Sequence, residues 1–121
     1  MAERTRLFGF HKVLDTSKST FKDSIPLPSD VEEITEICAY VKNGTNYLCH
    51  GFLSLYNEKT NEQILNTLKV SNDKKHFNYK SVYVVNFPQK NNLNFVFELG
   101  RGVDKRSECK LGILIKYKLK D

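Results

Sequence analysis

The sequence has 121 residues, of which 40% are hydrophobic and 27% are charged, and its formal net charge is +5. This length and composition are typical of one globular domain and exclude a disordered or collagen-like chain. No apolar run approaches the roughly 20 residues that a membrane-spanning helix needs. The charged start of the sequence, with Glu3, Arg4 and Arg6, predicts that no secretory signal peptide is present.

The basic charge is concentrated in the second half of the chain. Residues 1–60 have seven Lys or Arg against eight Asp or Glu, and residues 61–121 have twelve against six, so the halves carry −1 and +6. Such an imbalance can attract an acidic partner or a nucleic acid, or it can simply keep a surface hydrated. Fifteen of the nineteen basic residues are Lys, whereas specific phosphate recognition favours the planar fork of Arg. A hydrated surface is therefore the favoured interpretation.

The first two strands are predicted at about 6–14 and 20–25, where apolar and polar residues alternate. The stretch Ile25-Pro26-Leu27-Pro28 follows them, and its prolines predict an extended backbone because proline restricts φ. Residues 1–30 are therefore either an extended arm that lies on a neighbouring subunit, or an edge strand and connecting loop of the same domain.

The next segment fits both a helix and a strand. Ser29 or Asp30 can cap a helix, and several apolar residues after them recur at helical spacing. However, residues 34–41 are rich in Ile, Thr, Val and Tyr, which favour strands. We predict a strand over 33–42, with a short helical turn around 29–33.

Asn43-Gly44 is the preferred pair for a two-residue hairpin turn, and it precedes a predicted strand at 46–56. If the strands on either side of this turn pair, Cys38 lies opposite Cys49, at a spacing that allows a disulfide. The third cysteine is Cys109, and the sequence has no C-x-x-C pair. We therefore expect no disulfide framework and no zinc site, and we expect the cysteines to remain thiols in a reducing compartment.

The remaining strands are predicted at about 63–70, 77–87, 92–99 and 110–120, with polar loops between them. In the last of these, Leu111, Ile113 and Ile115 alternate with polar and lysine residues. Seven or eight short strands predict an all-β, single-domain antiparallel β-sandwich over residues 1–121, of jelly-roll or immunoglobulin-like type.

No constellation of catalytic residues is evident. His11, His50 and His76 have no metal-ligand spacing, and Cys49 and His50 are adjacent in a predicted strand, so their side chains point to opposite faces. No nucleotide-binding or hydrolase motif is present. We therefore expect no enzyme activity, no cofactor and no metal.

A compact β-sandwich with this Lys- and Asn-rich composition resembles the small accessory proteins of tailed-phage particles, the head auxiliary or decoration proteins. The resemblance is one of architecture and composition over most of the chain, and no functional residue is carried over from it. It implies a structural protein of the virion or cytoplasm that docks to capsid subunits or to copies of itself, and not to a membrane.

The predicted partner contacts lie in two segments. The first is the basic late loop with Arg101, Lys105 and Arg106, and the second is the stretch Ile25, Pro26, Leu27 and Pro28. The alternative function is a basic β-module that binds nucleic acid or another acidic partner, because residues 61–121 carry a net charge of +6.

Overall fold

A computed structural model describes residues 4–15, 17–43, 49–72, 80–88, 92–101, 103 and 109–119. For residues 42, 43, 49, 66, 71, 72 and 80–88 only the backbone is described. All structural statements below refer to these residues.

The described residues form eight β-strands and no helix. The strands are β1 (Thr5–Leu14), β2 (Thr20–Ile25), β3 (Val31–Asn43), β4 (Cys49–Asn57), β5 (Gln63–Asn72), β6 (Lys80–Pro88), β7 (Leu93–Leu99) and β8 (Cys109–Leu119). They make two four-stranded antiparallel sheets, which we call the β1 sheet (order β1-β8-β3-β6) and the β2 sheet (order β2-β7-β4-β5). The predicted all-β antiparallel sandwich of seven or eight strands is confirmed.

The core lies between the sheets and is built from alternate residues of each strand. In the β1 sheet, Leu111, Ile113 and Ile115 are completely buried, and in the β2 sheet Phe95 and Phe97 are. Each such side chain contributes roughly 1.5–3 kcal/mol by its removal from water. The alternation that predicted the late strands is therefore the alternation of their buried and exposed faces.

The ambiguous segment is a strand, and two β-bulges explain its helix-like spacing. Val31, Ile34 and Ile37 are buried at intervals of three residues. The register of β3 against β8 shifts between Val31 and Glu33 and again between Ile34 and Glu36. Because a bulge inserts an extra residue, the buried positions fall three apart instead of two. The prediction of a helical turn around 29–33 is wrong, because a turn leads directly into the strand at Val31.

The predicted pairing across Asn43-Gly44 is wrong, because β3 and β4 belong to different sheets. Cys38 lies opposite Val82 and Leu114, and not opposite Cys49. Apolar alternation shows that one face of a strand is buried. It does not show which of the two sheets the strand joins, because both sheets bury one face against the core. The turn itself, from Gly44 on, lies outside the described residues.

The cysteines also differ from the prediction. Cys109 is almost completely buried and is disulfide-bonded, whereas Cys38 has a thiol and is half-buried. The expectation that every cysteine is a thiol is therefore wrong at Cys109.

The N-terminal residues contribute one edge strand to each sheet. β1 pairs with β8 over its whole length, and β2 pairs with β7. A salt bridge of 3.2 Å between Lys12 Nζ and Asp23 Oδ2 joins the two edge strands. The sequence leaves two alternatives open for residues 1–30, an extended arm or an edge strand of the same domain. Residues 5–14 and 20–25 are edge strands of the sandwich.

Candidate docking surface

The edge strand β1 has apolar residues on both of its faces. Phe8 and Phe10 face inward and pack against the core, where the rings of Phe10 and Phe95 lie 5.5 Å apart. On the outer face, the side chains of Leu7 and Val13 are 65% and 71% exposed. Of the large hydrophobic residues that the structure describes, only Leu7, Val13 and Phe52 are exposed, so β1 holds two of the three.

One edge of β1 is unpaired in the part of the chain that the structure describes. β1 is the terminal strand of its sheet, and its only ladder is the one with β8. An unpaired edge presents alternate backbone N–H and C=O groups that can form a ladder with another strand. This edge is ten residues long, whereas the edge strand β2 has six.

Two glycines flatten the outer face beside β1. A Cβ atom on Gly9 would lie 3.3 Å from Cδ2 of Leu114, so the Leu114 side chain lies over Gly9. A Cβ atom on Gly112 would overlap the ring of Tyr40, so that ring lies directly over β8. The two glycines allow side chains of neighbouring strands to cover the backbone of the sheet.

A hydrogen bond joins the edge strand to the middle of the sheet. His11 Nε2 and the Tyr40 hydroxyl share a bond of 2.7 Å, and their rings lie 6.1 Å apart at 66°. His11 lies opposite Gly112 and Gly112 lies opposite Tyr40, so the bond crosses β8 at its glycine. Leu7, Leu114, the His11–Tyr40 pair and Val13 together form a surface that we call the β1 face.

Exposed lysines flank the β1 face. Lys116 lies opposite Leu7, and Lys110 lies opposite Val13. Residues 4–14 contain Arg4, Arg6 and Lys12 but no Asp or Glu. The β1 face therefore has an exposed apolar residue near each end, and an exposed lysine of β8 lies opposite each of them.

Asp23 holds the Lys12 side chain between the edge strands β1 and β2. The Ser24 backbone N–H donates to Asp23 Oδ1 at 2.8 Å, and Lys12 Nζ donates to Oδ2 at 3.2 Å. These two bonds, the backbone bond most strongly, lower the pKa of Asp23 below its ordinary value. Lys12 has the inward parity of Phe10, and an inward charge on an edge strand limits uncontrolled pairing with other strands.

A second ion pair anchors the start of β1. Arg6 Nη1 lies 3.6 Å from Asp30 Oδ2, and the buried Tyr117 hydroxyl donates to Asp30 Oδ1 at 3.4 Å. Burial, and then the charge of Asp30, raises the pKa of Tyr117. Asp30 therefore forms an ion pair with the exposed Arg6 and accepts a hydrogen bond from the buried Tyr117.

The predicted partner contacts fall in different environments. Arg101 is exposed, while Lys105 and Arg106 lie outside the described residues. In the other segment, Ile25 is completely buried and Pro26 is exposed.

The rest of that segment lies against the sandwich. Leu27 and Pro28 are half-buried, and the Leu27 backbone N–H donates to Asn92 Oδ1 at 3.0 Å. The extended backbone that the prolines predict is therefore held close to the domain, and the Ile25 side chain is part of the core.

Sequence reasoning missed Leu7, Val13 and the His11–Tyr40 pair. A signal for the first two was present, because residues 7–14 have apolar residues at both strand parities and one sheet can bury only one of them against the core. No sequence signal pointed to the His11–Tyr40 bond, since it depends on β1 and β3 being neighbours of β8.

The outer face of the β2 sheet has a shallow cleft of about 640 Å³. Its described lining is mostly polar and includes Lys22, Tyr56, Asn61 and Asn94. Asp23 is the one carboxylate in this lining, and it already accepts the bonds from Ser24 and Lys12. The lining therefore lacks the paired carboxylates of many hydrolases.

The described residues show neither a metal-binding cluster nor a membrane-spanning helix. No three of their His, Cys, Asp and Glu side chains lie close enough together to hold a metal ion. Within the same ranges there is no helix of the length and hydropathy that crossing a membrane requires.

The fold and the β1 face define an antiparallel β-sandwich with an apolar, basic-flanked edge strand. No family model matches the chain, and no curated protein matches it. Among solved structures, it is similar to an exo-β-1,3-galactanase from Phanerochaete chrysosporium, solved with galactose. The similarity covers 97% of this chain and 30% of that chain, at 13% sequence identity and a TM-score of 0.40. These values are too low to support a conclusion about function.

Proposed function

We propose that this protein is a non-enzymatic assembly protein that docks to another protein through β1. The observation that carries the proposal is the ten-residue edge strand with exposed Leu7 and Val13. The edge strands β2 and β5 present mainly polar residues on their outer faces, such as Lys22 on β2 and Thr67 and Lys69 on β5. Among the edge strands whose side chains the structure describes, β1 is therefore the one whose exposed side chains gain most from being covered.

The proposed contact is the addition of a partner strand to the β1 sheet. An extended segment beside β1 would satisfy the backbone groups of the edge and give the complex its affinity. Its side chains would cover Leu7 and Val13, and complete burial of each would contribute roughly 1.5–3 kcal/mol. The His11–Tyr40 bond holds the outer face flat beside this strand.

The charge of the edge favours a different protein over a second copy of this chain. Two antiparallel β1 strands would bring Arg4, Arg6 and Lys12 of each copy close to those of the other. The repulsion between these like charges is only partly offset by the ion pairs of Arg6 with Asp30 and of Lys12 with Asp23. A segment that carries acidic residues would instead be attracted by the exposed Lys110 and Lys116, which lie on β8, one strand further into the sheet than β1. We propose such a segment of another assembly subunit, in a virus particle, as the partner.

Site-specific photo-crosslinking in the native source tests this proposal. A photoreactive amino acid at Leu7 or Val13 should crosslink to one and the same partner protein. Glu98 provides the matched control, because it is exposed on the outer face of the other sheet. The crosslinked peptide of the partner should be extended and should contain acidic residues. Equal crosslinking from Glu98, or crosslinks only between copies of this chain, would contradict the proposal.

Charge reversal at the edge provides a second test. Leu7→Glu and Val13→Glu place a carboxylate opposite Lys116 and Lys110, an arrangement that a cross-strand pair tolerates. We expect the free energy of unfolding to change by less than about 0.5 kcal/mol, and we expect the crosslink from the remaining edge position to be lost. Retained crosslinking in a folded double variant would exclude β1 as the contact.

A further inference from the structure

The cysteine content of the chain identifies the partner of the Cys109 disulfide. The sequence has three cysteines. Cys109 is disulfide-bonded, and Cys38 has a thiol. We infer that Cys109 is bonded to Cys49, the remaining cysteine, and that the working form of the protein is the oxidised one.

The topology places the two cysteines at the same end of the sandwich. Cys109 begins β8 and lies opposite Asn43, the last residue of β3. The chain then passes from β3 to the other sheet, where Cys49 is the first residue of β4. Cys109 is therefore beside the end of β3, and Cys49 is one crossover away from it.

Strand parity agrees with a bond across the core. Cys109 shares the parity of Leu111 and Ile113, which are completely buried, and it is itself 2% exposed. Cys49 shares the parity of Gly51 and Leu53, which are buried in the opposite sheet. A bond between two such positions is a covalent tie between sheets that the core otherwise holds together by packing.

The bond forms by oxidation of two thiols. Each cysteine loses one proton and one electron as the S–S bond forms, and a low-molecular-weight disulfide such as oxidised glutathione accepts both electrons and leaves as two thiols. Because Cys109 is buried, the exchange must take place before the sandwich closes. The same burial then shields the bond from reductants, so the protein matures where such a disulfide acceptor is abundant.

Tryptic digestion without reductant, after alkylation in denaturant, tests the pairing. Cleavage after Lys and Arg places Cys49 in peptide 43–59, Cys109 in peptide 107–110 and Cys38 in peptide 23–42. We expect peptides 43–59 and 107–110 to be crosslinked and two hydrogens lighter than their sum. Peptide 23–42 should be alkylated. Alkylation of all three peptides, or a Cys109 link to peptide 23–42 or to a second chain, would overturn the inference.

Thermal unfolding tests the consequence. The proposed disulfide closes a loop of about 60 residues between positions 49 and 109. Its reduction under unfolding conditions should lower the melting temperature by roughly 10 °C. The Cys38→Ser variant should show the same drop. In the Cys49→Ala/Cys109→Ala double variant, reductant should have no effect. A reductant effect in that double variant, or none in the wild type, would contradict the proposed bond.

Discussion

Three glycines in strands differ in the atoms that an added Cβ would contact. These atoms decide how much each glycine-to-alanine substitution destabilises the fold. Above Gly51 lie the backbone carbonyl oxygen of Glu98 and the ring of Phe97. Above Gly112 lies the ring of Tyr40, and above Gly9 lies the tip of Leu114. A backbone atom cannot move aside without breaking a ladder, whereas a side chain can rotate away. Gly51 is therefore required for the backbone packing of its sheet. Gly112 and Gly9 make room for the side chains that lie across the outer face.

Alanine substitutions at these glycines should rank accordingly. Gly51→Ala should lower the free energy of unfolding by about 3 kcal/mol, because the new methyl group overlaps a carbonyl oxygen and a core ring. Gly112→Ala should lower it by about 1 kcal/mol, through loss of the His11–Tyr40 bond. Gly9→Ala should change it by less than that. Urea denaturation of the three variants measures the order, and a Gly9→Ala variant less stable than Gly51→Ala would contradict it.

The raised pKa of Tyr117 predicts how the free energy of unfolding changes at alkaline pH. Its pKa is raised in the folded protein, first by burial and then by the charge of Asp30. The folded state therefore holds the phenol proton more tightly than the unfolded state. This contribution to stability is fully present below pH 10, the ordinary pKa, and is lost as pH rises through the raised value.

The wild type should therefore lose stability more steeply above pH 10 than a Tyr117→Phe variant, which has no phenol proton to lose. Urea denaturation at several pH values from about 8 to 11 gives the two slopes. The variant should also be less stable at neutral pH, because the bond from Tyr117 to Asp30 is removed. Equal slopes above pH 10 would show that the Tyr117 pKa is not shifted on folding.

At the level of elements, β3 shows how a bulged strand imitates a helix in sequence. Its buried residues at 31, 34 and 37 have the spacing of one helix face, and after the second bulge the spacing returns to two at Ala39 and Val41. The composition of the segment was the better guide, since residues with branched side chains favour strands. The bulges themselves depend on pairing with β8 and are not visible in the sequence.

The face assignments of β7 and β8 predict which substitutions are costly. Phe95→Ala and Ile113→Ala remove completely buried side chains, and each should lower the free energy of unfolding by roughly 2–5 kcal/mol. Lys116→Ala, on the exposed face of β8, should change it by less than about 0.5 kcal/mol. Chemical denaturation measures all three, and the opposite ranking would mean that the faces are inverted.

For the whole molecule, the basic half of the chain predicts weak binding to nucleic acid. Titration with duplex and single-stranded DNA and RNA at ~150 mM salt should give dissociation constants no tighter than about 10⁻⁶ M and a steep loss of affinity with added salt. The sequence places Arg101, Lys105 and Arg106 in a predicted polar loop, so a variant with all three changed to Glu should retain its fold. Tight binding at this salt concentration that the triple variant loses would instead support the nucleic-acid function.

The class of fold and the positions of most strands follow from the pattern of amino acids alone. Apolar alternation in segments such as 92–99 and 110–120 requires one buried face, and antiparallel sheets packed face to face provide it. The same alternation places Phe95 and Ile113 in the core without any information on which strands pair. It did so because burial of a side chain in a strand depends mainly on its parity.

Which strands are neighbours follows from the packing of the whole chain, and the candidate site depends on those neighbours. β3 pairs with β8 and β6 and not with β4, so the expected Cys38–Cys49 neighbourhood does not exist and Cys109 has a disulfide instead. The His11–Tyr40 bond joins residues 29 positions apart because both strands flank β8. Pairing between strands is made by backbone groups that every residue has, so the choice of partner depends on how the whole chain packs.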